Sequence, residues 1–128
     1  MILVDANVVI AYLKKPDPKV LGLFQTHQAA ICGITRAEVL HGARNPADRQ
    51  QLYQALNVFV QIAIPDSLWD AVGDALAALR AAGVTVPFPD TVLACVAIEY
   101  GIELWTRDQH FSLMQAVLPQ LRLFQEPP

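Results

Sequence analysis

MILVDANVVI (residues 1–10) places a single carboxylate inside an otherwise apolar stretch. Four apolar residues precede Asp5, and three aliphatic residues follow Asn7. This pattern predicts a short buried strand that ends at Asp5, followed at once by a helix. Because a buried carboxylate is costly unless another group compensates its charge, the sequence predicts a partner for Asp5.

The composition is that of a globular protein with a large core. Of the 128 residues, 54% are hydrophobic and 16% are charged, and the formal net charge is −3. We therefore expect one domain over residues 1–128, which buries roughly two-thirds of the surface of the unfolded chain. The negative charge excludes a broadly basic surface, so nucleic-acid binding would require local lysines and arginines, a cation or a basic partner.

The cysteines and the hydropathy pattern indicate the compartment. Cys32 and Cys95 lie in apolar runs without a second ligand at zinc-finger spacing, which predicts buried free thiols in a reducing cytosol. No apolar run reaches the roughly 18 residues of a membrane span, and the N-terminus lacks the basic region of a signal peptide. We expect a cytoplasmic protein that does not associate with a membrane.

Five apolar runs alternate with helical patterns along the chain. The predicted strands are residues 1–4, 29–34, 58–64, 102–106 and 120–124. One helix is expected from Asp66, as its N-cap, to a stop at Gly83, and another ends at Gly101. Continuous apolar strands that alternate with helices predict an α/β fold, a three-layer α/β/α sandwich around a parallel sheet of four to five strands. Ligands bind such sheets beyond the carboxyl ends of the strands.

Four acidic residues follow predicted strands or lie early in predicted helices: Asp5, Glu38, Asp90 and Asp108. In a parallel α/β sheet these positions meet at one edge, although they are far apart in sequence. Two carboxylates about 4 Å apart repel by roughly 4 kcal/mol at an effective dielectric constant near 20. A divalent cation removes this repulsion, and an all-oxygen ligand set favours Mg²⁺ or Mn²⁺ over zinc. The sequence thus predicts a shared metal ion as the partner of Asp5.

Three of these acids also have a simpler interpretation when each is taken alone. Glu38 fits a capping box with Thr35, Asp90 fits a plain N-cap, and Asp108 fits the end of a turn. From the sequence, these local roles stay open beside the shared site. Three other acids recur at four-residue spacing on one side of a helix, which predicts a solvated face: Asp66, Asp70 and Asp74.

Four segments together carry a resemblance to a known family. They are LVDANVVIAYL (residues 3–13), RAEVLHGA (36–43), FPDTVLACVAIEYG (88–101) and LWTRDQHF (104–111). In this order and at this chain length they resemble the PIN-domain nucleases, and among them the toxins of VapBC toxin–antitoxin pairs. The resemblance extends from Met1 to Phe124. It implies that the four acids form the catalytic, metal-binding site.

The resemblance also implies supporting roles. Thr106 matches the hydroxyl residue beside the last acid, and Asn7 matches a small polar residue that holds the first strand-to-helix turn. Ala6 departs from the family, whose members usually carry Thr or Ser there, so this chain lacks a hydroxyl at that position. Weaker candidates, for contact with RNA phosphates, are Arg36, Arg107 and Lys14.

The activity that the resemblance implies is Mg²⁺- or Mn²⁺-dependent cleavage of RNA phosphodiesters by a metal-activated water. It also implies a homodimer and a cognate VapB-type antitoxin, whose C-terminal tail crosses the cleft and often directs an Arg or Lys at the acids. The antitoxin, and not this chain, would contact operator DNA. His41 and His110 are near the acids in sequence, and we interpret both as incidental surface histidines rather than proton carriers.

Other classes of protein compete with a nuclease. A signalling receiver domain also has acids at strand ends, but the last predicted strand offers no lysine and Glu38 has no role there. A phosphatase of the D-x-D-x-T type is excluded, because Asn7 occupies the position of the second aspartate. A non-catalytic PIN-fold module for dimerisation or partner binding stays open, although the presence of all four acids disfavours it.

Overall fold

Four parallel strands form the central sheet of the computed structural model, which describes residues 1–128. The strands are β1 (Ile2–Val4), β2 (Ala29–Ile31), β3 (Val60–Gln61) and β4 (Glu103–Trp105). Their order across the sheet is β3-β2-β1-β4, with Leu3 beside Ala30 on one side and beside Leu104 on the other. The strand that ends just before Asp5 is therefore an inner strand of the sheet.

Seven helices cover the two faces of the sheet. They are α1 (Ala6–Lys14), α2 (Pro18–Thr26), α3 (Gly33–His41), α4 (Pro46–Leu56), α5 (Leu68–Ala81), α6 (Phe88–Tyr100) and α7 (His110–Gln115). Side chains alternate across β1, so Ile2 and Val4 join the core formed with α1 and α2, whereas Leu3 joins the core formed with α5, α6 and α7. This arrangement confirms the predicted three-layer α/β/α sandwich around a parallel sheet.

The helix stops predicted at two glycines are confirmed. Gly83 and Gly101 have φ angles of 74° and 64°, the left-handed region that disfavours any residue with a Cβ. After Gly101, the Ile102 N–H bonds back to the Ala97 carbonyl (3.1 Å). This tight end of α6 returns the chain directly into β4.

The predicted N-cap at Asp66 is wrong. Helix α5 begins at Leu68, and residues 65–67 form a turn in which the Leu68 N–H bonds to the Pro65 carbonyl (2.9 Å). Because of this turn, the backbone is already helical at the residue before α5, and no side chain caps the helix. The solvated acidic face is confirmed, since its three members are exposed: Asp66, Asp70 and Asp74.

Three predicted strands keep half or fewer of their residues in the structure. Within residues 29–34, only Ala29–Ile31 pair, because α3 already begins at Gly33. Within residues 58–64, only the two residues of β3 pair, at an exposed edge of the sheet. Within residues 120–124, pairing is limited to a single bridge between Leu104 and Leu123, so the sheet has four strands. A segment at the edge of a sheet pairs with a neighbour on one side only. Its apolar composition therefore does not predict how many of its residues form strand hydrogen bonds.

Both cysteines are buried free thiols, as predicted. Burial raises the pKa of each thiol, so Cys32 and Cys95 stay protonated and unreactive at neutral pH. None of the seven helices has the length and the apolar character needed to cross a membrane. The single-domain organisation of residues 1–128 stays a prediction.

Thr35 anchors α3 to the first strand. Its side chain is fully buried, and its hydroxyl donates a hydrogen bond to the Val4 carbonyl (2.9 Å). Helix α3 begins at Gly33, so Thr35 lies inside the first turn and does not form the N-cap of a capping box with Glu38. The bond fixes the helix that carries Glu38 to the residue just before Asp5.

We expect Thr35→Val to lower the free energy of unfolding by about 1–3 kcal/mol, because it removes a buried hydrogen-bond donor while keeping the side-chain volume. Thr35→Ser retains the hydroxyl and is the matched control. Urea denaturation of the three proteins measures the difference. If Thr35→Val were as stable as the parent, the hydrogen bond would contribute nothing.

Candidate functional site

Asp5 lies between β1 and α1, and only 6% of it is exposed. Its Oδ1 accepts the Ala6 N–H (2.7 Å), and its Oδ2 accepts the Thr106 hydroxyl (2.7 Å). Burial raises the pKa of Asp5, the two hydrogen bonds lower it, and the charge of Asp108 raises it. The net direction is upward, so these two partners do not fully compensate the cost of the buried charge. Ala6 contributes only its backbone, and the hydroxyl at this carboxylate belongs to Thr106.

Thr106 connects the two turns that border the site. Besides donating to Asp5, its Oγ1 accepts the Asp108 N–H (3.0 Å) and the Asn7 side-chain amide (3.4 Å). The Asn7 side-chain oxygen accepts the Arg107 N–H (3.3 Å). These bonds join the turn after β1, which contains Asn7, to the turn after β4, which contains Thr106. The resemblance implies supporting roles for these two residues.

Glu38 and Asp90 face Asp5 from different helices. Glu38 lies on α3, and Asp90 lies in the first turn of α6. Burial raises the pKa of both carboxyls, and in both the charge of Asp5 raises it further. Asp90 also raises the pKa of Glu38, and Asp108 raises that of Asp90. The four acids singled out from the sequence therefore share one electrostatic environment beyond the carboxyl ends of β1 and β4.

The simpler interpretations of Asp90 and Asp108 have different outcomes. Helix α6 begins at Phe88, after Pro87, so Asp90 is not its N-cap. Asp108 does close a turn, since its Oδ1 accepts the His110 N–H (2.9 Å) at the start of α7. The charge of Asp108 nevertheless raises the pKa of Asp90, so a role in the turn and a place in the shared site are compatible.

His110 lies beside two of the four acids, and its interpretation as an incidental surface histidine stays a prediction. Its Nδ1 lies 3.1 Å from Asp108 Oδ1 and 3.6 Å from Asp90 Oδ2. The possible ligand atoms of these three residues all lie within 4.8 Å of one another. In the sequence, the only sign that His110 lies at the site is its position two residues after Asp108. A histidine without a role can occupy such a position as well. His41 is exposed at the C-terminal end of α3.

The candidate RNA-contacting cations are partly engaged by other residues of the chain. Arg107 forms a two-point ion pair with Glu126 (2.9 and 3.0 Å), which raises the pKa of the arginine and lowers that of the carboxyl. Arg36 donates to two side-chain oxygens (2.8 and 3.2 Å), and Lys14 is exposed in the last turn of α1. No lysine or arginine forms an ion pair with any of the four acids.

The donor set fits a hard divalent cation. Carboxylate oxygens from four segments are the ligands that Mg²⁺ and Mn²⁺ prefer, and no cysteine is among them. Burial and neighbouring carboxylates raise the pKa of three of these carboxyls, and a doubly positive ion relieves that condition. The residues that would hold the ion are Asp5, Glu38, Asp90 and Asp108.

We expect Asp90→Asn to raise the melting temperature in a chelating buffer by about 2–6 °C near neutral pH. The folded pKa of Asp90 lies above the ordinary value of 3.8, so its ionised form destabilises the fold and the substitution removes that charge. Because protonation removes the same charge, the difference from the parent closes as the pH falls through the raised pKa toward 3.8. Scanning calorimetry at several pH values measures it.

Asp70→Asn is the matched control, because Asp70 occupies the third position of α5 as Asp90 does in α6. Asp70 is exposed on the solvated face, where a negative charge near a helix N-terminus stabilises by about 0.3–1 kcal/mol. We therefore expect Asp70→Asn to lower the melting temperature slightly. A similar decrease for Asp90→Asn would contradict the repulsion inferred at the site.

Comparison with known proteins places the chain in a family. The family model described as PIN domain matches residues 2–116. Ribonuclease VapC1 of Methanocaldococcus jannaschii is 29% identical over 115 residues, which cover 89% of this chain and 81% of that protein.

Solved structures share the fold. A chain of VapBC2 from Rickettsia felis, bound to a DNA fragment from their promoter, aligns with a TM-score of 0.81 and 20% identity over 97% of this chain and 98% of that chain. A chain of DNA-bound VapBC from Salmonella typhimurium aligns with a TM-score of 0.80 and 19% identity over 96% of both chains. A chain of a toxin–antitoxin complex from Klebsiella pneumoniae aligns with a TM-score of 0.70 and 24% identity over 99% of this chain and 100% of that chain. Because the family model matches nearly its whole length, this chain belongs to the PIN domain family.

Proposed function

We propose that this chain is an endoribonuclease that requires Mg²⁺ or Mn²⁺ and acts as the toxin of a VapBC-type toxin–antitoxin pair. The observation that carries the proposal is the meeting of four carboxylates, from four separate segments, with no lysine or arginine paired to them. A purely structural role accounts poorly for this cluster, because its members repel one another. A nuclease site accounts for it, since the ion that relieves the repulsion also stabilises charge on phosphate oxygens.

The relatives support both parts of the proposal. The similar protein from Methanocaldococcus jannaschii is named a ribonuclease. The similar chains of known structure come from VapBC complexes, two of them bound to DNA, and from a toxin–antitoxin complex. We extend these properties to this chain because it has the same fold and because its four acids lie in the segments that resemble the family.

The protein's contribution to the chemistry is to fix the carboxylates. A bound divalent ion would supply charge stabilisation at the scissile phosphate and activation of a water nucleophile. The Ala6 N–H and the Thr106 hydroxyl hold Asp5 in one orientation, and the Thr35 hydroxyl holds the helix that carries Glu38. Hydrogen-bonded support of this kind keeps ligands within the narrow geometric tolerance of a catalytic site.

Glu38 is the acid best suited to move a proton. It is the most exposed of the four acids, and burial together with the charges of Asp5 and Asp90 raises its pKa, which makes the carboxylate a better proton acceptor. We assign to its carboxylate the proton of the water that attacks the RNA phosphorus. The bond from phosphorus to the leaving ribose oxygen breaks in the same reaction, and that oxygen takes a proton from solvent.

An apolar groove supports the presence of a protein partner. It has a volume of about 620 Å³, lies between α1, α2 and β3, and includes the exposed side chains of Met1, Leu21 and Val58. We propose that a cognate antitoxin covers this groove and that its tail places an Arg or Lys at the acids, in the position of the ion's charge. Operator DNA would contact the antitoxin, and a homodimer stays a prediction.

RNA phosphates would be contacted by exposed or weakly engaged cations of the chain. Lys14 is exposed, whereas Arg36 is engaged by neighbouring side chains and Arg107 is paired with Glu126. The ion pair of Arg107 is on the surface, where such pairs contribute only about 0–1 kcal/mol. A phosphate can therefore compete for this arginine at little cost.

Asp5→Asn and Asp90→Asn should each lower divalent-dependent cleavage of RNA by about 100-fold or more, because each removes a carboxylate that holds the ion. Expression of either variant should relieve the growth arrest that we expect from the parent chain. A gel assay with purified protein and added Mg²⁺ or Mn²⁺ measures cleavage. Circular dichroism should show that the fold is unchanged.

Asp74→Asn is the control, because Asp74 lies on the solvated face. This variant should cleave RNA at the parent's rate. A chelator should abolish cleavage by the parent, and added Mn²⁺ should restore it. Full activity of both site variants would disprove the assignment of these residues. A folded parent that binds the ion and cleaves no RNA would favour the non-catalytic binding module instead.

A further inference from the structure

His110 is the side chain at the acidic site that the proposed function leaves without a role. It is the first residue of α7, and 48% of its side chain is exposed. The next residue, Phe111, is fully buried in the core against which α5 and α6 pack. The core therefore fixes the start of α7 and holds His110 beside the acids.

We propose that His110 is a nitrogen ligand of the divalent ion and that it makes the site prefer Mn²⁺ over Mg²⁺. The inference rests on the proposed function for the presence of an ion, but it does not depend on the cleavage of RNA. The four acids supply oxygen donors only. A histidine in the set changes the chemical character of the site.

The spacing of the donors suits a single ion. Around an octahedral ion with bonds of about 2.1 Å, neighbouring ligand atoms are about 3.0 Å apart and opposite ones about 4.2 Å. His110 Nδ1 lies 3.1 Å from Asp108 Oδ1 and 3.6 Å from Asp90 Oδ2. All three ligand atoms lie within 4.8 Å of one another, so small rotations of these partly exposed side chains bring them onto one ion.

Hydrogen bonds from backbone N–H groups to side-chain oxygens hold the turn that presents the two neighbouring donors. The Asp108 N–H donates to Thr106 Oγ1 (3.0 Å), and the His110 N–H donates to Asp108 Oδ1 (2.9 Å). The same Thr106 hydroxyl donates to Asp5. The position of His110 is therefore connected by hydrogen bonds to the most buried acid of the site, as the supported ligands of metal centres are.

A nitrogen ligand changes which ion the site selects. Mg²⁺ is a hard ion that keeps oxygen ligands and water, whereas imidazole is a better ligand for transition-metal ions than for Mg²⁺. Replacement of a bound water by His110 therefore contributes more to the binding of Mn²⁺ than to that of Mg²⁺.

Spectroscopy of the full chain loaded with Mn²⁺ tests the proposal without RNA. Electron spin echo envelope modulation should contain the signature of a directly bonded ¹⁴N nucleus, and His110→Ala should abolish it. The dissociation constant for Mn²⁺, from titration calorimetry, should rise about tenfold or more, since loss of an outer hydrogen-bonded partner alone costs roughly 10- to 100-fold. The constant for Mg²⁺ should change much less, because water replaces the imidazole readily.

His41→Ala is the matched control, because it removes an exposed histidine from the end of α3 and should leave both constants and the ¹⁴N signal unchanged. Absence of the ¹⁴N signal from the parent would overturn the proposal and reduce His110 to a neighbour of the acids that does not bind the ion. Equal losses of affinity for both ions in His110→Ala would overturn the preference for Mn²⁺. A chain that binds Mn²⁺ through His110 yet cleaves no RNA would overturn the proposed function and leave this inference standing.

Discussion

Repulsion among carboxylates beyond the ends of β1 and β4 is the constraint on which the site depends. Burial raises the pKa of Asp5, Glu38 and Asp90, and the charges of their neighbours raise it further. A fold that gathers such groups needs bound protons or a cation, because no lysine or arginine pairs with them. A divalent ion and a basic residue of an antitoxin would each compensate the same excess of negative charge. The proposed chemistry uses the first, and the proposed inhibition uses the second.

The scaffold tolerates this repulsion because the surrounding elements are held by buried neutral contacts. Residues Thr91–Ala97, directly after Asp90, are all buried. Each fully buried aliphatic side chain contributes about 1.5–3 kcal/mol, so several of them outweigh the cost of one unfavourable carboxylate. Hydrogen bonds from Thr106 to Asp5 and from Thr35 to β1 then fix the geometry locally. The backbone of the site is therefore held in place even where its electrostatics are unfavourable.

The basic side chains around the acids divide into two groups. Arg107 is adjacent to Asp108 in sequence, yet its guanidinium extends to Glu126 near the C-terminus. His110 instead approaches two of the acids directly. The difference follows from the turn after β4, in which the Asp108 carboxylate accepts the His110 N–H and so directs the start of α7 toward the acids. A short local turn thereby decides which basic side chain joins the site.

The sequence by itself determined the layers, most of the helix ends and the gathering of the four acids. Apolar runs and the glycines at helix ends act over a few neighbouring residues, and a parallel sheet brings the ends of its strands to one edge whatever the distance between them along the chain. Only the tertiary structure decided the brevity of β3, the bond from Thr35 to the first strand, the pairing of Arg107 with Glu126 and the approach of His110 to the acids. Each depends on distances between side chains or segments set by packing, and such distances leave no periodic trace in a single sequence.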